Sequence, residues 1–340
     1  MKRLIPTLPV ILLVLASCAP QSPDTLTVMT HDSFSVSEEV VQAFESVNNA
    51  KVVFLPSGDA GSMLNKAILT GDAPLADVLF GVDNTFLSRA LDAGLFESYE
   101  SPGLQDVPTE FKLDPSNRAL PVDYGDVCIN YDRAFFSENN LSVPQSLEDL
   151  TRPEYGNLIV VENPATSSTG LAFLLATIAH YGDSFTGYWR ALKDNGMVVV
   201  DGWETAYFTN FSASSGRGPQ PMVVSYASSP SAEISPSGES LTGSILGPDT
   251  CFRQIEFVGI LQGTQKRALA EKFVDFMLGR QFQEDMPSQM YVYPVNPDAS
   301  LPDVFVKYAQ TPTQPATLSP DEISSNREKW IQLWTEAVLK

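Results

Sequence analysis

Histidine and cysteine are scarce in this chain, with two and three copies in 340 residues, and 21 bases face 41 acids. Each shortage excludes something. His31 and His180 stand far apart, and no HExxH, CxxC or EF-hand spacing occurs, so no zinc or calcium site is expected. A GxSxG elbow and a Walker loop are missing too, and neither Cys128 nor Cys251 has a histidine beside it to activate the thiol. The motifs therefore call for neither catalysis nor a cofactor. A net charge of −20 without a basic cluster argues against nucleic acid and favours a cationic solute. The apolar run from Pro9 to Leu15 is too short to span a bilayer.

That run does have a reading. Lys2 and Arg3 precede it and Ala16-Ser17-Cys18 follow, the pattern of an export signal over residues 1–17. Leu15-Ala16-Ser17-Cys18 resembles the bacterial lipobox, which implies a lipid on Cys18 and a tether over 18–25. Loss of Lys2 and Arg3 takes the charge from −20 to −22. Cys128 and Cys251 then remain as an even pair in an oxidising compartment, open to a disulfide or to two buried thiols.

What is abundant is alternation. The length suits two lobes of roughly 150 residues each. Apolar strands at 26–30, 51–55 and 76–81 alternate with helical patterns starting near Ser35, Met63 and Phe86, which predicts a doubly wound α/β sheet. Strands follow at 127–131, 158–162, 197–200 and 222–224, with 254–260 expected to pass back to the first lobe. Helices are predicted at 171–180, 188–192, 267–278 and 319–339, the last burying Trp330 and Trp334. Residues 211–221 and 229–249 are rich in Ser, Gly and Pro and read as surface loops.

Ligands of such sheets sit at the carboxyl ends of strands. Two consecutive strand ends carry aromatic rings, Trp203 with Tyr207 and then Tyr226 with Ala227, Ser228 and Ser229. These fit either a platform for a flat ring or ordinary core aromatics. Asp32, Asp59 and Asp83 end the first three strands, where each could equally be a cap. Thr166, Ser167, Ser168 and Thr169 open a helix; one hydroxyl suffices for a cap, so four point to an anion pocket.

Several segments resemble the thiamine-binding receptors of ABC importers: Leu26-Thr27-Val28 through Phe34, Asp77 through Asn84, Pro121-Val122-Asp123-Tyr124-Gly125, Gly202 through Tyr207, Ser225 through Pro230, and Tyr293-Pro294-Val295. The likeness runs in order from about residue 26 to the final helix. It implies a two-lobe periplasmic-binding-protein fold, each lobe a doubly wound sheet, with the ligand between the lobes. Lobe one would be 26–121 with 256–340, and lobe two 122–255. It further implies an exported monomer, in the periplasm or lipid-held at the outer face of the cytoplasmic membrane, that delivers thiamine or its phosphates to a permease. Carried over by position, Asp59, Ala60, Ser167, Ser168, Trp203, Tyr226, Ala227, Ser228 and Ser229 would contact the ligand, Ser167 and Ser168 at its phosphate end. His31, Asp32, Asp83, Tyr124, Thr166 and Tyr207 are secondary candidates. The chain departs from the family at His31, where a tyrosine is expected, at Ala232 in place of an aromatic, and at Thr169 in place of proline.

Other readings stay open. Asp32, Asp59 and Asp83 with Trp203 and Tyr226 could hold a polyamine. Ferric iron would want adjacent tyrosines, and Tyr226 has none beside it. A thiaminase-like enzyme of the same architecture would use Cys128 as nucleophile.

Overall fold

The computed structural model describes residues 23–71 and 73–340. The export signal (1–17) and Cys18 lie outside the described residues, as does most of the tether; Asp24 and Thr25, assigned to the tether, already belong to the first strand.

In chain order the strands are β1 (Asp24–Thr30), β2 (Ala50–Pro56), β3 (Val78–Asp83), β4 (Phe96–Glu97), β5 (Leu120–Asp132), β6 (Ile159–Glu162), β7 (Val198–Val200), β8 (Met222–Tyr226), β9 (Thr242–Ile245), β10 (Phe252–Leu261) and β11 (Tyr293–Pro294). The α-helices are α1 (Glu38–Asn48), α2 (Ala60–Leu69), α3 (Leu87–Asp92), α4 (Arg133–Glu138), α5 (Ser168–Tyr181), α6 (Phe185–Asp194), α7 (Arg267–Leu278), α8 (Arg280–Gln289), α9 (Asp303–Tyr308) and α10 (Pro320–Val338).

Among the described residues the strands form one mixed sheet in the order β2-β1-β3-β10-β5-β8-β6-β7, with β4 on β10 and with β9 and β11 on β5. β2-β1-β3 and β8-β6-β7 are parallel sets, one in each lobe. The sequence suggests two separate sheets. They are continuous because the two crossing strands, β5 and β10, pair antiparallel with each other and with the sets on either side. Strands buried on both faces carry apolar runs, as in Val78 to Val82, fully enclosed between helices.

Three elements differ from the sequence reading. β9 runs through the stretch taken as a loop, its Gly243 and Ser244 pairing with Tyr131 and Asn130 of β5. α2 starts at Ala60 rather than Met63, because Asp59 caps it by accepting from the Ala60 N–H at 2.7 Å. The last helix, grouped with lobe one, bridges both lobes. Trp334 meets Trp189 of α6 edge-to-face at 5.6 Å, while the buried Arg327 donates to Thr85 O at 3.3 Å and Ser88 Oγ at 3.1 Å. Trp330, expected to be buried with it, is only partly so.

Cys128 of β5 and Cys251, immediately before β10, are joined in a disulfide with Cα atoms 4.3 Å apart. It staples the two crossing strands on the lobe-two side.

Candidate functional site

A cavity of about 420 Å³ lies between the lobes. One wall is aromatic. β7 ends at Val200, and residues 205–210 form a single π-helical turn that sets Trp203 and Tyr207 on one side. Their rings stack with centroids 4.8 Å apart and planes 20° apart, and Trp203 Nε1 donates to Ser225 Oγ at 2.9 Å. Tyr226 ends β8, and its hydroxyl donates to Gln254 Oε1 at 2.9 Å. Its ring lies so close over Gly125 that a Cβ there would stand 2.7 Å from Cδ1. That close approach explains why glycine follows Asp123-Tyr124.

The lobes meet at two helix starts. Asp59 Oδ1 accepts from the backbone N–H of Ser168 at 3.1 Å, and Oδ2 from that of Trp203 at 3.0 Å. Beside it the Ser62 N–H donates to Thr166 O at 3.2 Å, and a Cβ on Gly61 would come within 2.8 Å of that carbonyl. Burial pushes the Asp59 carboxyl above the usual carboxylate range against the donors that surround it. Glu162, at the end of β6, is fully buried with neither oxygen partnered; burial first, then the charge of Asp59, raises its carboxyl well above the ordinary range. Ser167 Oγ caps α5 by accepting from the Gly170 N–H at 3.4 Å and also lies 2.9 Å from Thr169 Oγ1. The amide that would receive an anion at the start of α5 is thus already bonded to the chain's own carboxylate.

The floor is a row of carboxyls. Glu256 of β10 stands directly opposite Asp83 of β3 on one side and Asp123 of β5 on the other. Asp83 Oδ1 accepts from Thr85 N at 2.8 Å and Thr85 Oγ1 at 2.6 Å, and Oδ2 accepts from the Gln254 amide. Burial nevertheless pushes Asp83 up to about 7, with the charge of Glu256 adding to it. No donor reaches either oxygen of Asp123, whose carboxyl is raised well above its ordinary range by burial and then by Glu256. His31 Nε2 lies 3.6 Å from Glu256 Oε1. Asp32, Glu204 and Glu233 also line the cavity, and among the described residues no lysine or arginine does. Aromatic faces beside unbalanced carboxyls are an arrangement that can hold a flat cation.

Of the candidate residues, Asp59, Ser168, Trp203, Tyr226, Ser229, His31, Asp32 and Tyr207 line the cavity. Ala60, Ser167, Ala227, Ser228 and Thr166 sit behind the lining; Thr166 Oγ1 is bonded to Asp201 O at 2.7 Å. Asp83 lies beneath the floor, and acts on the cavity through Gln254 and Glu256. Tyr124 is outside. Alternation along β5 sends it to the face opposite Asp123, where it stacks between Phe111 at 4.6 Å and Tyr293 at 5.3 Å. Sequence reasoning missed Phe34, Glu204, Phe208, Glu233, Glu256 and Tyr291. Glu256 carried a signal, an acid directly before the apolar run Phe257 to Leu261 of a crossing strand. Tyr291 carried none; its left-handed backbone, φ 56°, emerges only from the fold.

Residues 73–313 match the family described as bacterial extracellular solute-binding protein. Thiamine-binding periplasmic protein of Brucella suis is 31% identical over 329 residues, covering 94% of this chain and 93% of the relative. Thiamine-binding periplasmic protein of Escherichia coli is 30% identical over 336 residues, covering 96% and 97%. The solved structure called periplasmic thiamin binding protein superposes with a TM-score of 0.83 at 29% identity, covering 93% of this chain and 96% of its own.

Proposed function

The chain belongs to the bacterial extracellular solute-binding protein family, and from that premise we propose that it captures thiamine outside the cytoplasm for an ABC importer. One observation carries the choice of ligand: an inter-lobe cavity with Trp203, Tyr207 and Tyr226 on its wall and Glu256 on its floor, lined by no lysine or arginine among the described residues. Thiamine supplies the matching chemistry, a permanently charged thiazolium and a flat aminopyrimidine. Aromatic faces attract such a cation by about 0.5–2 kcal/mol each. No bond is made or broken. The lobes hinge where β5 and β10 cross, near 122–128 and 251–257, with lobe limits at 121/122 and 255/256 except that α10 touches both. The chain works as a monomer, needs no cofactor, is held at the membrane only by a lipid on Cys18, and hands its ligand to a permease. Among the described residues no helix is long and apolar enough to cross a membrane.

Phosphorylated thiamine fits less well, because Asp59 already takes the Ser168 amide and Glu162 lies behind it. A polyamine is the second reading, favoured by the carboxyls of Asp32, Asp59, Glu204, Glu233 and Glu256 around one cavity. The thiaminase reading loses its nucleophile, since the Cys128 sulfur is bonded to Cys251. Calorimetry of the soluble chain from Ala19 with thiamine, its mono- and pyrophosphate, and spermidine separates these. Tight binding of thiamine supports the proposal; absence of binding by every thiamine form overturns it.

A further inference from the structure

His31 sits at the cavity floor, 6% exposed, where the related receptors are expected to carry a tyrosine. Its Nδ1 lies 3.1 Å from Ser33 Oγ, and the ring packs against Phe34 and Phe80. Nε2 has no hydrogen-bond partner and faces Glu256 Oε1 at 3.6 Å. Glu256 Oε2 is likewise buried and unpartnered.

The groups around this pair are almost all acidic. Asp83 from β3 and Asp123 from β5 flank Glu256 directly, and side chains opposite each other on a ladder have Cβ atoms about 5 Å apart. Asp59 comes from the cap of α2, Asp32 from the position beside His31, and Glu204 from the turn after β7; the Tyr226 hydroxyl is turned to Gln254. Neighbouring carboxyls in a buried site cannot all ionise without a compensating positive charge. Among the described residues the imidazole is the one basic side chain lining the cavity. Burial works against its charge, but Glu256, then Asp59 and Asp32, outweigh that and hold His31 above its ordinary range.

We propose that protonated His31 is an internal cation seated on Glu256, and that the ligand's cationic ring takes its place: binding neutralises His31, sends one proton to solvent, and leaves Glu256 as the counter-charge of the thiazolium. The proposal rests on the reading of the ligand as thiamine. Two cations over one carboxylate in a site of low effective dielectric repel each other, and the imidazole can shed its charge whereas the thiazolium cannot. The sign follows. Because the proton must leave, affinity rises with pH while His31 is protonated, by up to about tenfold per pH unit, and levels off once His31 is neutral. A neutral ligand makes no such demand.

The test is calorimetry on the intact exported chain at a pH of about 7, in two buffers of different ionisation enthalpy, with thiamine and with a neutral aminopyrimidine alcohol lacking the thiazolium. For the unmodified protein we expect about one proton released per thiamine at most, none with the pyrimidine, and thiamine affinity falling roughly fivefold to tenfold per unit of acidification. H31Q should bind thiamine with no proton release and no such slope. E256Q should weaken thiamine by about tenfold or more while changing the pyrimidine much less. Buffer-independent heats in the unmodified protein overturn the exchange, as does proton release that persists in H31Q. Unchanged thiamine affinity in E256Q, with folding confirmed by a thermal melt, removes Glu256 as the counter-charge. If thiamine does not bind at all, the ligand assignment falls first; if it binds without a proton, only the exchange falls.

Discussion

Replacing Trp203 with alanine isolates the aromatic wall. One face of the indole rests on Tyr207 at 4.8 Å, its Nε1–H is bonded to Ser225, and the side chain is only partly buried. Ser225 Oγ keeps its contact with Ser229 Oγ at 3.0 Å, so the substitution strands no buried hydroxyl. The stability cost should fall below the roughly 3–5 kcal/mol of a fully buried tryptophan, nearer about 1–2 kcal/mol. The binding cost combines a lost cation–π contact with lost ring area, together about 1.5–3 kcal/mol, or tenfold to a hundredfold in Kd. Trp203→Phe keeps a ring and should recover most of that. Calorimetry gives the affinities and a thermal melt shows that both variants fold. Fluorescence adds a check: Trp189 and Trp334 are buried against each other away from the cavity, and Trp203 is the tryptophan that lines it. A ligand-induced change in emission should therefore vanish in Trp203→Phe while binding persists. Affinity within threefold of the unmodified protein in Trp203→Ala would show that the ring is packing only and refute the reasoning.

Three further outcomes follow from the same geometry. Replacing Cys128 and Cys251 with serine opens a link between residues 123 apart in sequence and should lower stability by about 2–5 kcal/mol in denaturant titration, with little change in thiamine affinity once folded; an unchanged midpoint would contradict this. Asp59→Ala removes both carboxylate bonds between the lobes, so thiamine affinity should fall about tenfold or more while the ratio of pyrophosphate to thiamine affinity rises; competition binding reads both. Asp83 is raised from the ordinary 3.8 to about 7, so the folded state binds the extra proton, and this contribution is present at low pH and lost as pH rises through about 7. Its size is at most about 4 kcal/mol over the whole span from 3.8 to about 7, of which only about 1 kcal/mol falls between pH 6 and pH 8, so the unliganded protein should melt slightly lower at pH 8 than at pH 6, a difference reduced in Asp83→Asn.

Why some of the site could be read from sequence and some could not is a matter of distance along the chain. Trp203 and Tyr226 were legible because each follows an apolar strand, and strand ends are where such folds present ligand groups. Asp59 was legible as a contact but not as a latch, since its partners Ser168 and Trp203 lie 109 and 144 residues away. β9 was illegible for a related reason. Its Thr-Gly-Ser-Ile has no strand pattern of its own and is ordered by pairing with Ile129 to Asp132.

The floor shows the limit most clearly, and also what it means for the protein. Asp83, Asp123 and Glu256 sit in three strands, and each alone looks like a turn residue or an interrupted apolar run. Only the register of β3, β10 and β5 sets them in one row, and only His31, from the loop after β1, gives that row a positive neighbour. A buried row of acids, with Asp123 and one oxygen of Glu256 left without a donor, is a standing cost to the empty fold. It lies on the crossing strands β5 and β10, and under the proposed function a cation that settles on Glu256 offsets part of that cost. Removing the acids should then stabilise the empty protein while weakening capture of a cation, a pairing that a merely structural role for the row would not produce.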